Sequence, residues 1–459
     1  MNSERQTHQA ARWRPCAGAI ALSVLLAACA GSSSDSGDCP EASAKADLLG
    51  IMESVYFWND EPQQVPKYRA VDLERFADDQ ELLDALRWMP EELDRGFTYI
   101  TSPAAEDRQN AGRTLSYGFS LTRIGATDEI RVRQTIEGSP VHAAGVRRGW
   151  RLLSIGGRSI AAIDASEGIS AALGFPYSDS EPTRTMEFLD RAGTQRGPFS
   201  ITVTEFDVDP VPLSHIFERD GRKIGYVLMR SFVPPAVLAF EAAIRDFNRE
   251  GVRHLIVDFR YNLGGSLPVA EAIGGMLGGD ALAGETLYRL TFNSANSGRN
   301  QSGRFDASYN DATLSSGAFD EIVFLTSSQT ASASELVIHA LSPFSDRIGA
   351  ASIGTRSFGK PVGQIAVDYC SDNRRLRVIA FEVQNAAGVG GYFQGLPVDC
   401  PAADELDTDL GDPREASLEA ALEFHMTGQC PSATATAAAA AATPQHRSLG
   451  ITHRFDGIL

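Results

Sequence analysis

Residues 254–265 read HLIVDFRYNLGG, and this stretch decides the fold of the chain. Its first six residues form an almost continuous apolar run, which indicates a β-strand buried on both faces. The run leads to Gly264 and Gly265, which allow a backbone to approach a ligand closely. In an open α/β sheet, binding sites collect at this carboxyl edge of the strands.

Helix and strand patterns alternate on both sides of this stretch. A helix is predicted from about Pro235 to just before Gly251, because glycine commonly follows the last helical turn. The later elements are a helix at 267–277, a strand at 322–325, a helix from Ser332 and a strand at 348–353. This alternation predicts an α/β domain with a central sheet over residues 210–428.

Two regions of different texture precede this domain, and one follows it. Residues 40–105 carry apolar side chains at helical spacing, which predicts a small helical domain. Residues 113–208 alternate short strand patterns with glycine and proline, which predicts a β-rich domain. Residues 431–459 form an Ala-rich tail of low complexity. We therefore expect a multidomain α+β protein.

Residues 1–28 predict an export signal. A basic start is followed by an apolar run of about twelve residues, which is too short to span a bilayer as a helix. Residues 26–29 read LAAC and resemble a bacterial lipobox, in which Cys29 is acylated; an ordinary signal peptide with an incidental cysteine is the alternative. Residues 29–39 suit a flexible linker. We expect an exported lipoprotein in the periplasm, anchored in the outer membrane because Ala30 follows the cysteine.

Four further cysteines predict two disulfides in an oxidising compartment: Cys39, Cys370, Cys400 and Cys430. Of the three connectivities, we favour Cys370 with Cys400, which flank a strand-rich segment, and Cys39 with Cys430, which would tie the ends of the fold. No Cys-x-x-Cys or His-x-x-x-His spacing supports a metal site, so we expect neither metal nor cofactor.

The charge balance excludes one class of partner. The chain has 59 acidic against 41 basic residues and a formal net charge of −18. Binding to nucleic acid requires clustered Lys and Arg, so we do not expect a nucleic-acid partner.

Ser332 is the candidate nucleophile. It follows a buried-strand pattern and opens a helix, where unpaired amides and the helix dipole stabilise negative charge. Ser332-x-x-Glu335 also fits a capping box, so the serine alone does not decide between the two roles. His339 lies seven residues further along the same helix, which places it too far along the axis to act as a direct base.

Lys360 is the candidate general base, because a single charge is embedded in the apolar and turn residues 358–363. Burial would lower the pKa of this lysine towards about 7, so that its neutral amine could accept a proton. The alternative is a solvated ammonium in a turn. The amides of Gly264 or Gly265, together with that of Ala333, could form an oxyanion hole.

A second glycine-containing loop begins the β-rich domain. Tyr117, Gly118 and Phe119 could hold a peptide carboxylate with their amides, while the adjoining strand edge pairs with the peptide. A structural β-domain with an empty groove is the alternative.

Taken together, the motifs in residues from about 42 to 427 resemble those of the C-terminal processing, or tail-specific, protease family of Ser/Lys peptidases. Three stretches carry the resemblance: residues 138–145, residues 255–265, and residues 330–335 followed by 358–360. The resemblance implies a PDZ domain at 113–208 and a crotonase-like α/β catalytic domain. It also implies Ser332 as nucleophile, Lys360 as base and Gln364 as the residue that orients Lys360.

The function expected from this resemblance is a serine endopeptidase. Its substrates would be proteins or peptides recognised by apolar C-terminal tails in the PDZ groove. The alternative is a catalytically silent PDZ scaffold that binds peptides at the cell envelope.

Overall fold

We describe the protein from a computed structural model. The structure describes residues 39–62, 64–87, 93–125, 127–175, 181–371, 373–431 and 447–448. The predicted signal, the predicted acylation site Cys29 and most of the Ala-rich tail therefore lie outside the described residues. In the part that is described, no helix combines the length and apolar character needed to cross a membrane.

The first region contains short helices and one strand. Its elements in chain order are α1 (Glu41–Val55), α2 (Val65–Arg69), a 3₁₀ turn (Leu73–Arg75), α3 (Asp79–Leu86), β1 (Tyr99–Thr101) and α4 (Pro103–Asn110). Leu48, Met52, Leu82 and Leu86 recur at helical spacing and are buried in one cluster, as the sequence predicted.

The β-rich region follows, with three short helices between its strands. Its elements are β2 (Arg113–Ser116), β3 (Phe119–Ile124), β4 (Glu129–Thr135), α5 (Pro140–Ala143), β5 (Arg151–Ile155), β6 (Arg158–Ser159), α6 (Ile160–Asp164), α7 (Gly168–Leu173), β7 (Thr183–Leu189), β8 (Gln195–Thr202) and β9 (Thr204–Asp207). The main sheet runs β3-β4-β5-β7-β8, and β3 lies towards its edge.

The third region carries the predicted α/β alternation. Its elements up to the candidate nucleophile are β10 (Leu213–Arg219), β11 (Arg222–Leu228), α8 (Pro234–Arg249), β12 (His254–Asp258), α9 (Leu267–Leu282), β13 (Thr286–Phe292), a 3₁₀ turn (Ser294–Arg299), β14 (Gln301–Arg304), β15 (Ser308–Tyr309), β16 (Ala312–Thr313) and β17 (Glu321–Thr326).

The remaining elements begin directly after Ser332. They are α10 (Ala333–Leu341), a 3₁₀ turn (Ser342–Phe344), β18 (Gly349–Gly354), β19 (Val362–Tyr369), β20 (Arg374–Gln384), β21 (Cys400–Pro401), α11 (Ala416–Thr427) and β22 (Arg447–Ser448). β22 pairs antiparallel with β3, which adds a strand at that edge of the β-rich sheet.

A six-stranded sheet in the order β10-β11-β12-β17-β18-β21 forms the centre of this region. All its pairs from β11 onward are parallel. Side chains of α8, α9 and α10 join one core cluster with alternate strand residues, and α11 joins a second cluster with the others. The sheet is therefore covered on both faces, which explains why the strand at 254–258 is apolar without alternation.

A second, antiparallel sheet joins the first region to the third. Its strands are β1, β20, β13 and β14, with β19 also paired to β20. β1 pairs with Arg375–Arg377 of β20, and side chains of β19 and β20 share the core of α1 and α3. The helical region thus packs directly on the strands that follow Lys360.

The predicted disulfide connectivity is wrong. Cys39 is bonded to Cys370 and Cys400 to Cys430, with Cα separations of 5.5 and 5.4 Å. The turn between β19 and β20 lies against the start of α1, where the Cys370 amide donates to Asp47. Cys400 instead meets Cys430, which follows α11 on the other face of the parallel sheet. The packing of α1 and α11 therefore sets the pairing.

Candidate active site

Ser332 lies between β17 and α10, at the carboxyl edge of the parallel sheet. It is the residue just before the helix, and its backbone has φ +58° and ψ −114°. A non-glycine residue in such a conformation is strained, and strain of this kind concentrates at functional sites. The Ser332 amide donates to Glu335 Oε2 at 2.9 Å, which holds this turn in place.

The glycine turn after β12 lies directly against Ser332. A Cβ on Gly264 would come within 2.7 Å of the Ala333 nitrogen and 2.8 Å of Ser332 Cβ, so only glycine fits there. The Gly264 amide already donates to Asn262 Oδ1 at 2.9 Å. Among the described residues, the amides of Gly265 and Ala333 have no hydrogen-bond acceptor. These two amides, rather than that of Gly264, are the available donors.

Lys360 is almost fully buried, with 3% of its surface exposed. Burial lowers the pKa of its ammonium to about 7, and the nearby Arg377 charge adds to the effect. Its Nζ donates to Gln364 Oε1 at 2.7 Å and lies 5.2 Å from the centre of the Phe97 ring. The Gln364 side-chain amide in turn donates to the Phe97 carbonyl, which fixes Oε1 towards the lysine.

Glu335 connects the segments that carry Ser332 and Lys360, a role that the sequence did not predict. Its carboxylate is buried and accepts four hydrogen bonds. Besides the Ser332 amide, the donors are the Lys360 amide at 2.8 Å, the Gly359 amide at 2.6 Å and the Ser357 hydroxyl at 2.5 Å. Burial raises the pKa of Glu335, and these hydrogen bonds oppose the rise. The sequence supplied only a capping-box pattern for this glutamate.

The first region also supports the lysine. Arg95 donates to the carbonyls of Phe358 and Gly359, at 3.0 and 2.5 Å. Its guanidinium lies 4.4 Å from the centre of the Phe358 ring. Asp94 lies next to Arg95 in sequence and is buried, with Tyr56 donating to its carboxylate at 2.8 Å. The residues before β1 therefore help to hold the turn that carries Lys360.

A cavity of about 750 Å³ brings the predicted residues together. Its lining includes Ser332, Ala333, Lys360, Gln364, Gly264 and Gly265. Ser120 and Leu121 of β3 and Arg133 and Gln134 of β4 also line it. The β-rich region therefore forms part of the wall of the same cavity.

Arg133 links that wall to the nucleophile loop. Its side chain is buried and donates to Gln329 Oε1, three residues before Ser332. Its guanidinium also lies 5.1 Å from the centre of the Tyr261 ring, on the strand-end segment that leads to Gly264. A shift of β4 would consequently displace both the loop before Ser332 and the segment that leads to Gly264.

The other charged residues at the end of β12 stabilise the fold and do not line the cavity. Arg260 is buried, and its guanidinium pairs with Asp258 at 2.7 Å and with Glu415 at 2.7 Å. Tyr226 donates to the same aspartate at 2.9 Å. None of these four residues is among those that line the cavity. They anchor the end of β12 and the start of α11.

The predicted peptide-binding loop lies at the start of β3. Gly118 has φ +86°, and a Cβ there would overlap Ser139, so glycine is required. The Tyr117 hydroxyl donates to the Leu173 carbonyl at 3.0 Å, which joins the loop to the end of α7. The Gly118 amide donates to Ser116 Oγ at 3.1 Å. Phe119 begins the strand and is half-buried.

His339 is held away from the serine. Its Nε2 lies 3.0 Å from the Val389 carbonyl, and its ring packs on Tyr392 with centres 5.0 Å apart. It is not among the cavity-lining residues described above. The sequence expectation that His339 is no direct base agrees with this position.

Comparison with known proteins places this geometry in a family. Residues 223–400 match the profile of peptidase family S41. The matched segment is the part of the chain that carries Ser332 and Lys360. The chain is 27% identical over 351 residues to the chloroplastic C-terminal processing peptidase of Tetradesmus obliquus, covering 71% of this chain and 69% of that protein. It is 24% identical over 300 residues to the carboxy-terminal processing protease CtpA of Bacillus subtilis, covering 64% and 58%.

A solved structure of a putative S41 protease from Bacteroides fragilis has the same fold. The two chains align with a TM-score of 0.62 and 23% identity, over 83% of this chain and 97% of that one. The S41 match supports a serine-type peptidase, and the solved structure shares the mixed α/β fold of several regions.

Proposed function

We propose that this S41 peptidase is an endopeptidase in which Ser332 is the nucleophile and Lys360 the general base. The observation that carries the proposal is the buried Lys360, whose pKa is lowered to about 7 in the cavity that Ser332 also lines. A neutral amine is available there near neutral pH, which a serine hydroxyl requires in order to react.

The proposed reaction has two steps. Ser332 Oγ attacks the peptide carbonyl while its proton moves to Lys360 Nζ, and the amides of Gly265 and Ala333 donate to the resulting oxyanion. The C–N bond then breaks, and Lys360 returns the proton to the leaving amine. Water, deprotonated by Lys360, hydrolyses the acyl-enzyme and regenerates Ser332.

Gln364 has a positioning role in this scheme. Its Oε1 accepts from Lys360 Nζ, which directs the amine without adding a charge. A carboxylate at this place would favour the ammonium and raise the pKa of Lys360. A neutral amide therefore keeps the base in its reactive form.

We infer that the β-rich region is a PDZ domain that receives the substrate's C-terminal tail, and that the third region is a crotonase-like catalytic domain. The edge position of β3 supports tail binding, since the pairing of Arg447–Ser448 illustrates how an added strand fits that edge. Gly118 lies at the start of the strand, where a tail carboxylate would meet backbone amides. Because β3 and β4 form part of the cavity wall, a tail bound at β3 would lie next to the cavity that Ser332 lines.

We also propose that the protein is an envelope lipoprotein acylated at Cys29. The disulfides of Cys39 with Cys370 and Cys400 with Cys430 support an oxidising compartment. Replacing Cys29 with Ser should move the protein from the membrane to the soluble fraction of the envelope. An unchanged membrane fraction would contradict the anchor.

The test of the proposed activity compares Ser332→Ala and Lys360→Ala with the wild type. Ser328→Ala is the matched serine control, because Ser328 is exposed in the same cavity. Lys223→Ala is the lysine control, because Lys223 is half-buried and lies outside the cavity lining. The substrate is an unstructured protein with an apolar C-terminus, followed by mass spectrometry. We expect both active-site variants to lose at least about 10⁴-fold in kcat/KM while the controls remain active.

A second substrate tests recognition of the tail. It is the same protein extended by two C-terminal aspartates, which should reduce kcat/KM if an apolar tail binds at β3. Folded wild-type protein that binds the tail but leaves the peptide bonds uncut would instead support a silent scaffold. Full activity of Lys360→Ala would remove the lysine from the mechanism.

A further inference from the structure

A cluster of three metal-binding side chains lies at the amino edge of the parallel sheet, away from the catalytic cavity. His254 and Glu321 begin the adjacent parallel strands β12 and β17 and are direct partners in the register. His425 reaches them from α11. One ligand atom of each residue lies within 4.8 Å of the other two. None of the three lines the catalytic cavity.

The hydrogen bonds of His425 leave one close contact between its ring and Glu321 without a proton to share. His425 Nε2 lies 3.2 Å from the Leu255 carbonyl, which can only accept, so Nε2 carries the proton. His425 Nδ1 then directs its lone pair at Glu321 Oε2, only 2.6 Å away. Two acceptors at this distance require a positive charge, which is either a second proton on the imidazole or a cation.

His254 distinguishes these two possibilities. Its Nδ1 is buried and has no hydrogen-bond partner among the described residues. It lies 3.7 Å from Glu321 Oε2, beyond hydrogen-bond reach. A second proton on His425 would leave this atom unsatisfied, whereas a cation between the three groups would satisfy it together with the other two.

We propose that His254 Nδ1, His425 Nδ1 and Glu321 Oε2 bind a Zn²⁺ ion. Two imidazole nitrogens and one carboxylate form a donor set that zinc accepts, with a fourth position left for water. Neighbouring ligands of tetrahedral zinc are about 3.3 Å apart. The present separations from Glu321 Oε2 are 2.6 and 3.7 Å, on either side of that value, and all three ligand atoms lie within 4.8 Å of one another. Rotations of the three side chains would bring them to the separations of a zinc site.

The surroundings suit such an ion. The Leu255 carbonyl that accepts from His425 Nε2 would fix the tautomer, as outer hydrogen bonds commonly do for zinc-binding histidines. The side chains of His254 and Glu321 remain 21% and 28% exposed, which gives an ion access from solvent. Two neighbouring cations are already engaged, since Arg253 pairs with Asp320 and Arg222 donates to the His425 carbonyl. The ion would fasten α11 to the start of two core strands.

The experiment measures zinc binding by calorimetry with the full-length, chelator-stripped protein. We expect one zinc ion per chain, a higher melting temperature with zinc, and at least about a tenfold loss of affinity in His254→Ala. His215→Ala is the matched control, because His215 is an exposed histidine on β10 and should leave binding unchanged. His425→Gln is a second variant, in which binding should also be lost.

Cobalt provides a second measurement on the same proteins. Co²⁺ should give visible bands of a tetrahedral site without a thiolate charge-transfer band, and His254→Ala should lose them. The proposal is overturned if the wild type shows no saturable zinc binding, or if His254→Ala and His425→Gln bind as tightly as the wild type. A thiolate band would also overturn it, because it would assign the metal to cysteines. These outcomes do not depend on peptidase activity.

Discussion

The two edges of the six-stranded parallel sheet carry different kinds of chemistry, although β12 and β17 contribute to both. At the carboxyl edge, the segments after these strands hold Gly264 and Ser332 against each other. At the amino edge, their first residues are His254 and Glu321. The carboxyl-edge site consists of turns that follow the strands, and its backbone is strained at Ser332. The amino-edge cluster consists of side chains that the register between β12 and β17 brings together. The glycine turn can be recognised in the sequence, whereas the register between β12 and β17 cannot.

The largest catalytic effect confined to the carboxyl-edge site is expected from a variant that changes the protonation of Lys360. Because burial holds its pKa at about 7, the base is protonated and inactive below that pH, so kcat/KM should rise through pH 7 to an alkaline plateau. Gln364→Glu would stabilise the ammonium and raise the pKa by about 1–3 units. At pH 7, where half of the wild-type lysine is already protonated, we expect a loss of roughly 5- to 500-fold, recovered as the pH is raised.

Gln109→Glu is the control for this prediction, since Gln109 lines the same cavity but is exposed. Its pH profile of kcat/KM should superimpose on that of the wild type. If the Gln364→Glu profile did so too, Gln364 would not set the protonation of the base.

A smaller catalytic effect is expected from Glu335, which holds the carboxyl-edge site together. Glu335→Gln keeps the shape but replaces one acceptor oxygen with a donor, so two of the four donors lose their partner. We expect a decrease of about 2 kcal/mol in the free energy of unfolding. Misplacement of the Ser332 and Lys360 segments should also reduce kcat/KM by roughly 10- to 100-fold.

Glu419→Gln on the exposed face of α11 is the matched control, and denaturant titration with kinetics measures both effects. Unchanged activity in a destabilised Glu335→Gln protein would show that Glu335 stabilises the fold without positioning the dyad.

The sequence predicted those parts of the fold that depend on local patterns. The apolar run at 254–259 became β12 at 254–258, and the helix predicted from Ser332 begins one residue later at Ala333. Ser332, Lys360 and Gln364 line one cavity because the turns that carry Ser332 and Lys360 meet there beside β19, which carries Gln364. Buried strands and glycine turns leave local patterns in the sequence, whereas the role of Gln364 was implied only by the family resemblance.

The remainder depends on contacts between distant segments. The cysteine pairing was wrong because nothing in the sequence shows that Cys370 lies beside α1. Glu335 showed a capping pattern, yet half of its donors come from residues 357 and 359. The sequence led us to expect no metal site because His254, Glu321 and His425 are too far apart to form a motif. Only the strand register and the position of α11 place them together.

The Cys400–Cys430 disulfide tests whether the face that carries α11 can be weakened without affecting catalysis. Its sequence separation of 30 residues predicts a loss of about 3 kcal/mol in the free energy of unfolding when both cysteines are replaced by serine. We expect kcat/KM at 25 °C to stay within about twofold, because neither residue lines the cavity. Thermal unfolding and kinetics on the double variant measure the two quantities, and a tenfold loss in the folded enzyme would contradict the separation.

The smallest effect is expected when zinc binds at the amino edge. β12 runs five residues from His254 to Asp258, which separates its two ends by about 13 Å of strand. The intervening strand is fully buried and packed on both faces. We therefore expect a small rotation of His254 to leave the position of Ser332 unchanged. Saturating zinc should therefore raise the melting temperature and leave kcat/KM within about twofold of the chelated enzyme. Inhibition of the wild type but not of His254→Ala would mean that the two edges are coupled through the strands. Equal inhibition of both would instead place an inhibitory zinc outside this cluster, with the catalytic cavity as the first place to look.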